Sequence, residues 1–253
     1  MIPVSDQNPT RRFPFVNWVL IVANVAGWFY EYSLLLEGAA WLVPGYGLVP
    51  TRIAADPPGE AFTIVTSMFM HGGWAHLGGN MLFLYIFGDN VEDAVGHLRY
   101  ILFYLASGLA AALAQILIEP TSTVPMVGAS GAIAGVLGAY LVLYPRAPVT
   151  VVNPVFPLWF VFGLFLVLPA WFVVGEWFVW NLLTGVNSIG LRDQHGIGFA
   201  DQGGVAIFAH LGGFIAGLLL IRPVMKGRHK AATKAWEGWR PPPRRASSTA
   251  RYR

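Results

Sequence analysis

AHLGGFIAG, Ala209 to Gly217, lies inside an apolar run from Gly203 to Ile221 whose one ionisable side chain is His210. A helix that crosses a bilayer needs roughly 20 mostly apolar residues, and this run is long enough. Working outward, similar runs occur at Phe15–Leu36, Tyr100–Ile118, Gly128–Tyr144 and Pro157–Leu183. A sixth, about Gly73–Asn90, is weaker because it holds His76, Asn80 and several glycines. The expected fold is an all-α membrane protein, a bundle of six transmembrane helices.

Composition points the same way. Of the 253 residues, 55% are hydrophobic and 11% charged, whereas soluble domains carry about 25% charged residues. The absence of cysteine excludes a disulfide framework, a zinc-thiolate site and a cysteine nucleophile. The first apolar run is too long for a signal-peptide core, so it reads as a retained span behind a short cytoplasmic tail, residues 1–13. The membrane domain is expected over 14–225. Between the first two spans, Glu37 to Gly72 is rich in Pro, Gly and aromatic residues such as Trp41, Pro44 and Tyr46. It is too broken to span and too apolar for a free linker, so it reads as an interfacial loop at the lipid headgroups. A second long loop is expected from Thr184 to Gly203.

Charge is uneven. Arg222 to Arg253 holds ten Lys or Arg residues and one acid, Glu237. The segment 226–253 reads as a disordered basic tail, either simply solvated or touching anionic lipid. Nothing else in the chain supports a nucleic-acid partner. With the N-terminus in the cytoplasm, Arg11, Arg12, Arg99, Arg146 and the ten C-terminal cations all fall inside, and only Arg52 and Arg192 fall outside. That is the bias membrane proteins show, and an even number of spans keeps both basic ends on one side.

Polar side chains within spans cost free energy, and they face the bundle interior or mark function. In this topology His76 and Asn80 lie in the first half of the second helix and Ser130 in the first turn of the fourth. His210 lies about 10 Å along the sixth, at 1.5 Å rise per residue. All four fall toward the outer face on three parallel helices. Gly131 and Gly135 form a small-residue face beside Ser130; Gly213 and Gly217 form another beside His210. Such faces let helices approach closely in lipid, close enough for a hydroxyl and an imidazole to share a hydrogen bond. His76 and Asn80, at i and i+4, share one helix face and could both donate to a developing oxyanion. A serine at a helix start can also act merely as a cap.

GASGAIAG (Gly128 to Gly135) resembles the GxSG motif of the rhomboid intramembrane proteases. AHLGGFIAG resembles their final helix, and HGGWAHLGGN (His71 to Asn80) their second, which pairs a histidine with an asparagine four residues on. The stretch Glu92, Gly96, Arg99, Gly108 resembles their turn from second to third helix. The resemblance covers about Phe15 to Arg222. It implies a serine endopeptidase with Ser130 as nucleophile and His210 as general base, then acid. It implies an oxyanion hole of His76, Asn80 and the Ser130 backbone N–H, with no cofactor and no metal. The implied substrates are membrane-spanning segments in the lipid bilayer, cut near the outer face. A bacterial plasma membrane is expected because the N-terminus is short and lacks an Arg-rich, acid-poor transit segment. One departure is Ala134, where some rhomboids carry a tyrosine that packs on the histidine. Either the ring comes from elsewhere or His210 is held less tightly.

Several other polar residues read as structural. His71 is expected to hold the loop before the second helix. Arg99 is expected to pair with Glu92 or Asp93. Glu176, an acid within the fifth span, requires a partner, and Asn181 is too far along the same helix to be the obvious one. Two competing readings are a catalytically inactive relative that binds membrane clients and a transporter. Transporters often show inverted repeats, and none is visible here.

Overall fold

The computed structural model describes residues 1–195 and 206–226. Helix α1 (Phe15–Leu36) has the bounds expected of the first apolar run. Helix α2 (Trp74–Phe83) passes through a π-helical turn, Leu84–Gly88, into α3 (Asp89–Val95). Helices α4 (His97–Ile118), α5 (Ser130–Leu143), α6 (Ala170–His195) and α7 (Ile207–Val224) follow. By length and composition α1, α4 and α7 can each cross a membrane. The segment between α1 and α2 is not irregular: it forms short helices at Leu42–Tyr46, Pro50–Ala55, Pro57–Glu60 and Thr63–Thr66.

Helix α5 is the centre of the bundle. Every residue from Gly131 to Tyr140 is buried, mainly against α7 and α4. Glycine explains how close the helices come. A Cβ on Gly213 would sit 2.0 Å from the Gly131 carbonyl oxygen, and one on Gly217 would sit 2.0 Å from that of Gly135. The two small-residue faces thus pack on each other, backbone against backbone. Large apolar side chains such as Val22, Phe29, Leu102, Leu113 and Leu219 point outward, as a lipid-facing surface requires.

The all-α expectation is corrected by a small antiparallel sheet, ordered β1 (Ile2–Asp6), β2 (Pro148–Val152), β3 (Phe165–Pro169). Two sequence readings change with it. Residues 2–6 are not a trailing tail but pair with β2. The run Pro157–Leu183 is not one span: it contains the turn that returns the chain to β3, and only then α6. Gly163, at φ +84°, reverses the chain, and Asn153 ties the turn by donating to the Gly163 carbonyl at 3.1 Å. Pro169 closes the strand. The first free N–H groups of α6 are then taken by Ala147 and Pro145 carbonyls at 2.9 Å, the requirement at any helix start.

The charged clamp at the α3–α4 turn also differs from expectation. Glu92, buried, accepts from the backbone N–H of Val16 at 2.9 Å and Asn17 at 2.7 Å, which caps α1. Its side-chain partner is His97, not Arg99. Arg99 instead donates to the Val224 carbonyl at 2.8 Å, at the C-terminus of α7, where a cation is favourable. The Asn17 amide donates to the Leu84 carbonyl at 3.0 Å, within the π-turn. Tyr100 donates to Asn17 at 2.7 Å. The acid Glu176 accepts from the Met1 amine at 3.1 and 3.2 Å.

Strand β1 is anchored by a proton. Asp6 accepts from the Tyr140 hydroxyl, and burial, with Asp89 nearby, pushes its carboxyl up to about 7. The folded state therefore prefers Asp6 protonated. That stability is full below about 4 and is lost as pH rises through about 7. In detergent, the melting temperature is expected to fall over this window for the parent protein. The same fall should be smaller in Asp6→Asn, which stays neutral throughout.

Candidate active site

Ser130 is the first residue of α5, one past the N-cap position, which Ala129 occupies. Its Oγ lies 2.7 Å from Nε2 of His210. Capping, the bland role for such a serine, is thus not how the hydroxyl is used. His210 is buried and stands in the first turn of α7, because that helix begins at Ile207. The expected depth counted from Gly203 starts in a stretch outside the described residues. The meeting of the two side chains follows from the glycine contacts: Gly131 adjoins Ser130, and Gly213 is nearly one turn from His210.

The other two sequence-selected residues face the same end of α5. His76 accepts at Nδ1 from the Gly72 N–H at 3.2 Å, so Nε2 carries its proton. Its ring edge lies against Gly128: a Cβ there would be 2.7 Å from His76 Cε1, 2.8 Å from Nε2 and 3.5 Å from Asn80 Nδ2. Gly128 has φ +122°, a conformation suited to glycine, and its N–H donates to the Ser67 carbonyl at 2.8 Å. The Asn80 amide nitrogen is buried with no acceptor among the described residues. A buried unpaired donor is costly, and here it sits beside the Ser130 loop with the His76 Nε2–H. The start of α5 adds backbone N–H groups that lack helical partners.

His71 ties its loop through the backbone, while both ring nitrogens are buried without a partner among the described residues. Its N–H donates to Glu31 at 2.9 Å, tying the loop to α1. Burial, helped by the His76 imidazole, pulls it down to about 4, so it is neutral at ordinary pH. Among the described residues no cluster of three or more His, Cys, Asp or Glu is placed to hold a metal. A narrow crevice of about 10 Å³, room for about one water, lies against Ser130, walled by Met68, Gly108, Met126, Gly128 and Ala209.

Two residues of α6 reach the site that sequence reasoning did not assign to it. Asn181 Oδ1 lies 2.7 Å from His210 Nδ1. The Trp177 ring lies 5.7 Å from the imidazole, centre to centre, and supplies the aromatic neighbour missing at Ala134. Both interrupt or edge an apolar run, which is the available signal. Their aim at α7 is a property of the packed bundle.

The Rhomboid domain family matches residues 58–227, two-thirds of the chain and all three motif-bearing helices. The chain belongs to the rhomboid family. It is a membrane protein of that family, which includes serine proteases and inactive members. It is 44% identical over 131 residues to rhomboid-like protein 11, chloroplastic, of Arabidopsis thaliana, covering 52% of this chain and 42% of that one. Rhomboid protease GluP of Bacillus subtilis is 42% identical over 83 residues, covering 33% of this chain and 16% of that protein. Inactive rhomboid protein 1 of Drosophila melanogaster is 29% identical over 119 residues, covering 47% of this rhomboid and 8% of its relative. The chain spans less than two thirds of the length of the curated relatives it matches.

Proposed function

We propose that this rhomboid is an intramembrane serine endopeptidase that hydrolyses peptide bonds in or beside transmembrane segments. The observation that carries the reading is the 2.7 Å contact between His210 Nε2 and Ser130 Oγ, the distance an activated nucleophile needs. In the first half-reaction Ser130 Oγ attacks the scissile carbonyl while His210 Nε2 takes its proton. The new oxyanion is held by the Ser130 backbone N–H, Asn80 Nδ2 and His76 Nε2–H. Collapse expels the amine, which His210 protonates. Water then attacks the acyl-enzyme with His210 again as base, and Ser130 is released.

Topology supports a site below the membrane surface. We place six spans, with α2 and α3 as one rod, and both basic ends in the cytoplasm. Helix α5 has 14 residues, about 21 Å at 1.5 Å each, against roughly 30 Å of hydrocarbon. With its C-terminal end at the inner boundary, Ser130 lies about 10 Å below the outer one. Of the second long loop expected at 184–203, residues 184–195 instead belong to α6 and residues 196–203 lie outside the described residues, as does the tail, 227–253.

Glycine 128 gives a direct probe of the oxyanion site. Gly128→Ala puts a methyl against the His76 ring and strains the backbone. It is expected to lower kcat by about 100-fold or more, the loss typical of one oxyanion donor, with KM little changed. Steady-state cleavage of a transmembrane peptide measures both. The broader test is reconstitution in liposomes with a single-span protein whose helix is weakened by Gly or Ala near the outer face. New N-termini near that face are the expected product. No product from well-folded protein would favour the other reading, an inactive rhomboid that binds membrane clients.

A further inference from the structure

We infer that Asn181 is a positioning residue for His210, fixing the imidazole in the tautomer that can accept the Ser130 proton; this rests on the protease reading above. The amide is itself anchored. Its Nδ2 donates to the Trp177 carbonyl at 2.8 Å, one turn back on α6. That bond uses the donor end of the amide on its own helix and leaves Oδ1 facing α7. Oδ1 then lies 2.7 Å from His210 Nδ1.

An amide oxygen can only accept, so Nδ1 must carry the proton. A neutral imidazole has one N–H, so Nε2 keeps its lone pair. That lone pair faces Ser130 Oγ at 2.7 Å, and the hydroxyl must donate. In the opposite tautomer two lone pairs would face each other at Nδ1, and Nε2–H would point at the nucleophile. Proteolysis would then have no base. The Asp of a serine protease triad and the Asn of papain-like enzymes do this work on other folds. Here a neutral amide does it where an isolated carboxylate would have to be buried in an apolar bundle. Trp177 lies one turn away on the same helix face, and its ring packs on His210 at 5.7 Å with a 41° tilt. Helix α6 thus constrains the imidazole in direction through Asn181 and laterally through Trp177.

A packing role and a positioning role make opposite predictions. In a membrane helix, leucine is the favourable substitute for asparagine and aspartate the unfavourable one. If Asn181 only fills space, Asn181→Leu should keep activity better than Asn181→Asp. If its oxygen orients His210, the order reverses, because only aspartate retains an acceptor for Nδ1–H. With full-length protein in liposomes and a transmembrane peptide substrate, we expect kcat of Asn181→Leu and Asn181→Ala to fall by about 10- to 100-fold, with KM within about twofold. Asn181→Asp should exceed Asn181→Leu in kcat by about tenfold. Equal kcat for the two, or Leu above Asp, overturns the inference, as does parent-level kcat in Asn181→Leu. Ser130→Ala run alongside separates the failures. If it is inactive while Asn181→Leu is fully active, only the positioning role falls. If it is fully active, the protease reading falls first.

Discussion

Ser130→Ala is expected to lower cleavage of a membrane-embedded substrate by about 10,000-fold or more, the scale on which serine proteases respond to loss of their nucleophile. His210→Ala should do the same, and the double variant should be no worse than either alone. Non-additivity follows because the two groups act as one unit across their 2.7 Å contact. Folding should be unaffected. The Ser130 hydroxyl pairs with the His210 imidazole rather than with backbone, so its removal leaves no backbone group newly unpaired. Cleavage assays with each variant, together with melting temperatures in detergent, separate catalytic loss from misfolding.

Gly213→Val is expected to be nearly as damaging for a different reason. Even the first added carbon would lie 2.0 Å from the Gly131 carbonyl oxygen and 3.0 Å from its carbon. No side chain can yield there, because the obstacle is backbone. The α5 and α7 axes must move apart by an ångström or more. Overpacking of this kind costs about 1–3 kcal/mol of stability, and displacement of about 1 Å at a reacting pair can cost 100-fold in rate. Ser130 and His210 stand beside the two glycines and would lose their contact. Gly79→Ala is the control. It lies on α2 with nothing within 4 Å of the added carbon, so both melting temperature and cleavage should stay close to the parent values. Substrate turnover and thermal unfolding of both variants check the pair.

Much of the site was legible because lipid makes polar side chains conspicuous. Ser130, His210, His76 and Asn80 stand out in runs that are otherwise apolar or glycine-rich, and the flanking glycines indicated which helices touch. The contacts between Gly131 and Gly213 and between Gly135 and Gly217 have the pairing those motifs suggested. The errors have a common cause in apolar runs that conceal a change of period. FLVLP, Phe165 to Pro169, is as hydrophobic as its surroundings, and a short apolar strand cannot be told from a helix segment by composition. So β3 was absorbed into a span that begins only at Ala170. The other edge strand, β1, is five residues long and contains a proline and a register shift, which leaves little strand signal in a segment that reads as a tail.

Side-chain pairing was the other weak point. Charge alone suggested Arg99 for Glu92, but the turn at Gly96, with φ +82°, brings His97 to the carboxylate and sends Arg99 to the end of α7. Asn181 was weighed against Glu176 on its own helix, where the spacing is wrong. Its partner is His210, 29 residues away in the chain. No periodicity within one helix can report a contact between two, which is why Ser130 and His210 stood out in the sequence and their neighbour on α6 did not.

The central claim is that a hydroxyl activated by an imidazole attacks within the bundle, and covalent labelling reads that event without a substrate. Full-length protein in lipid should be treated with a fluorophosphonate, and the adduct located by mass spectrometry of the intact and digested chain. One adduct on Ser130, lost in Ser130→Ala and at least about 100-fold slower in His210→Ala, is the predicted result. No adduct on folded protein, or labelling of Ser130 at the same rate without His210, would contradict it.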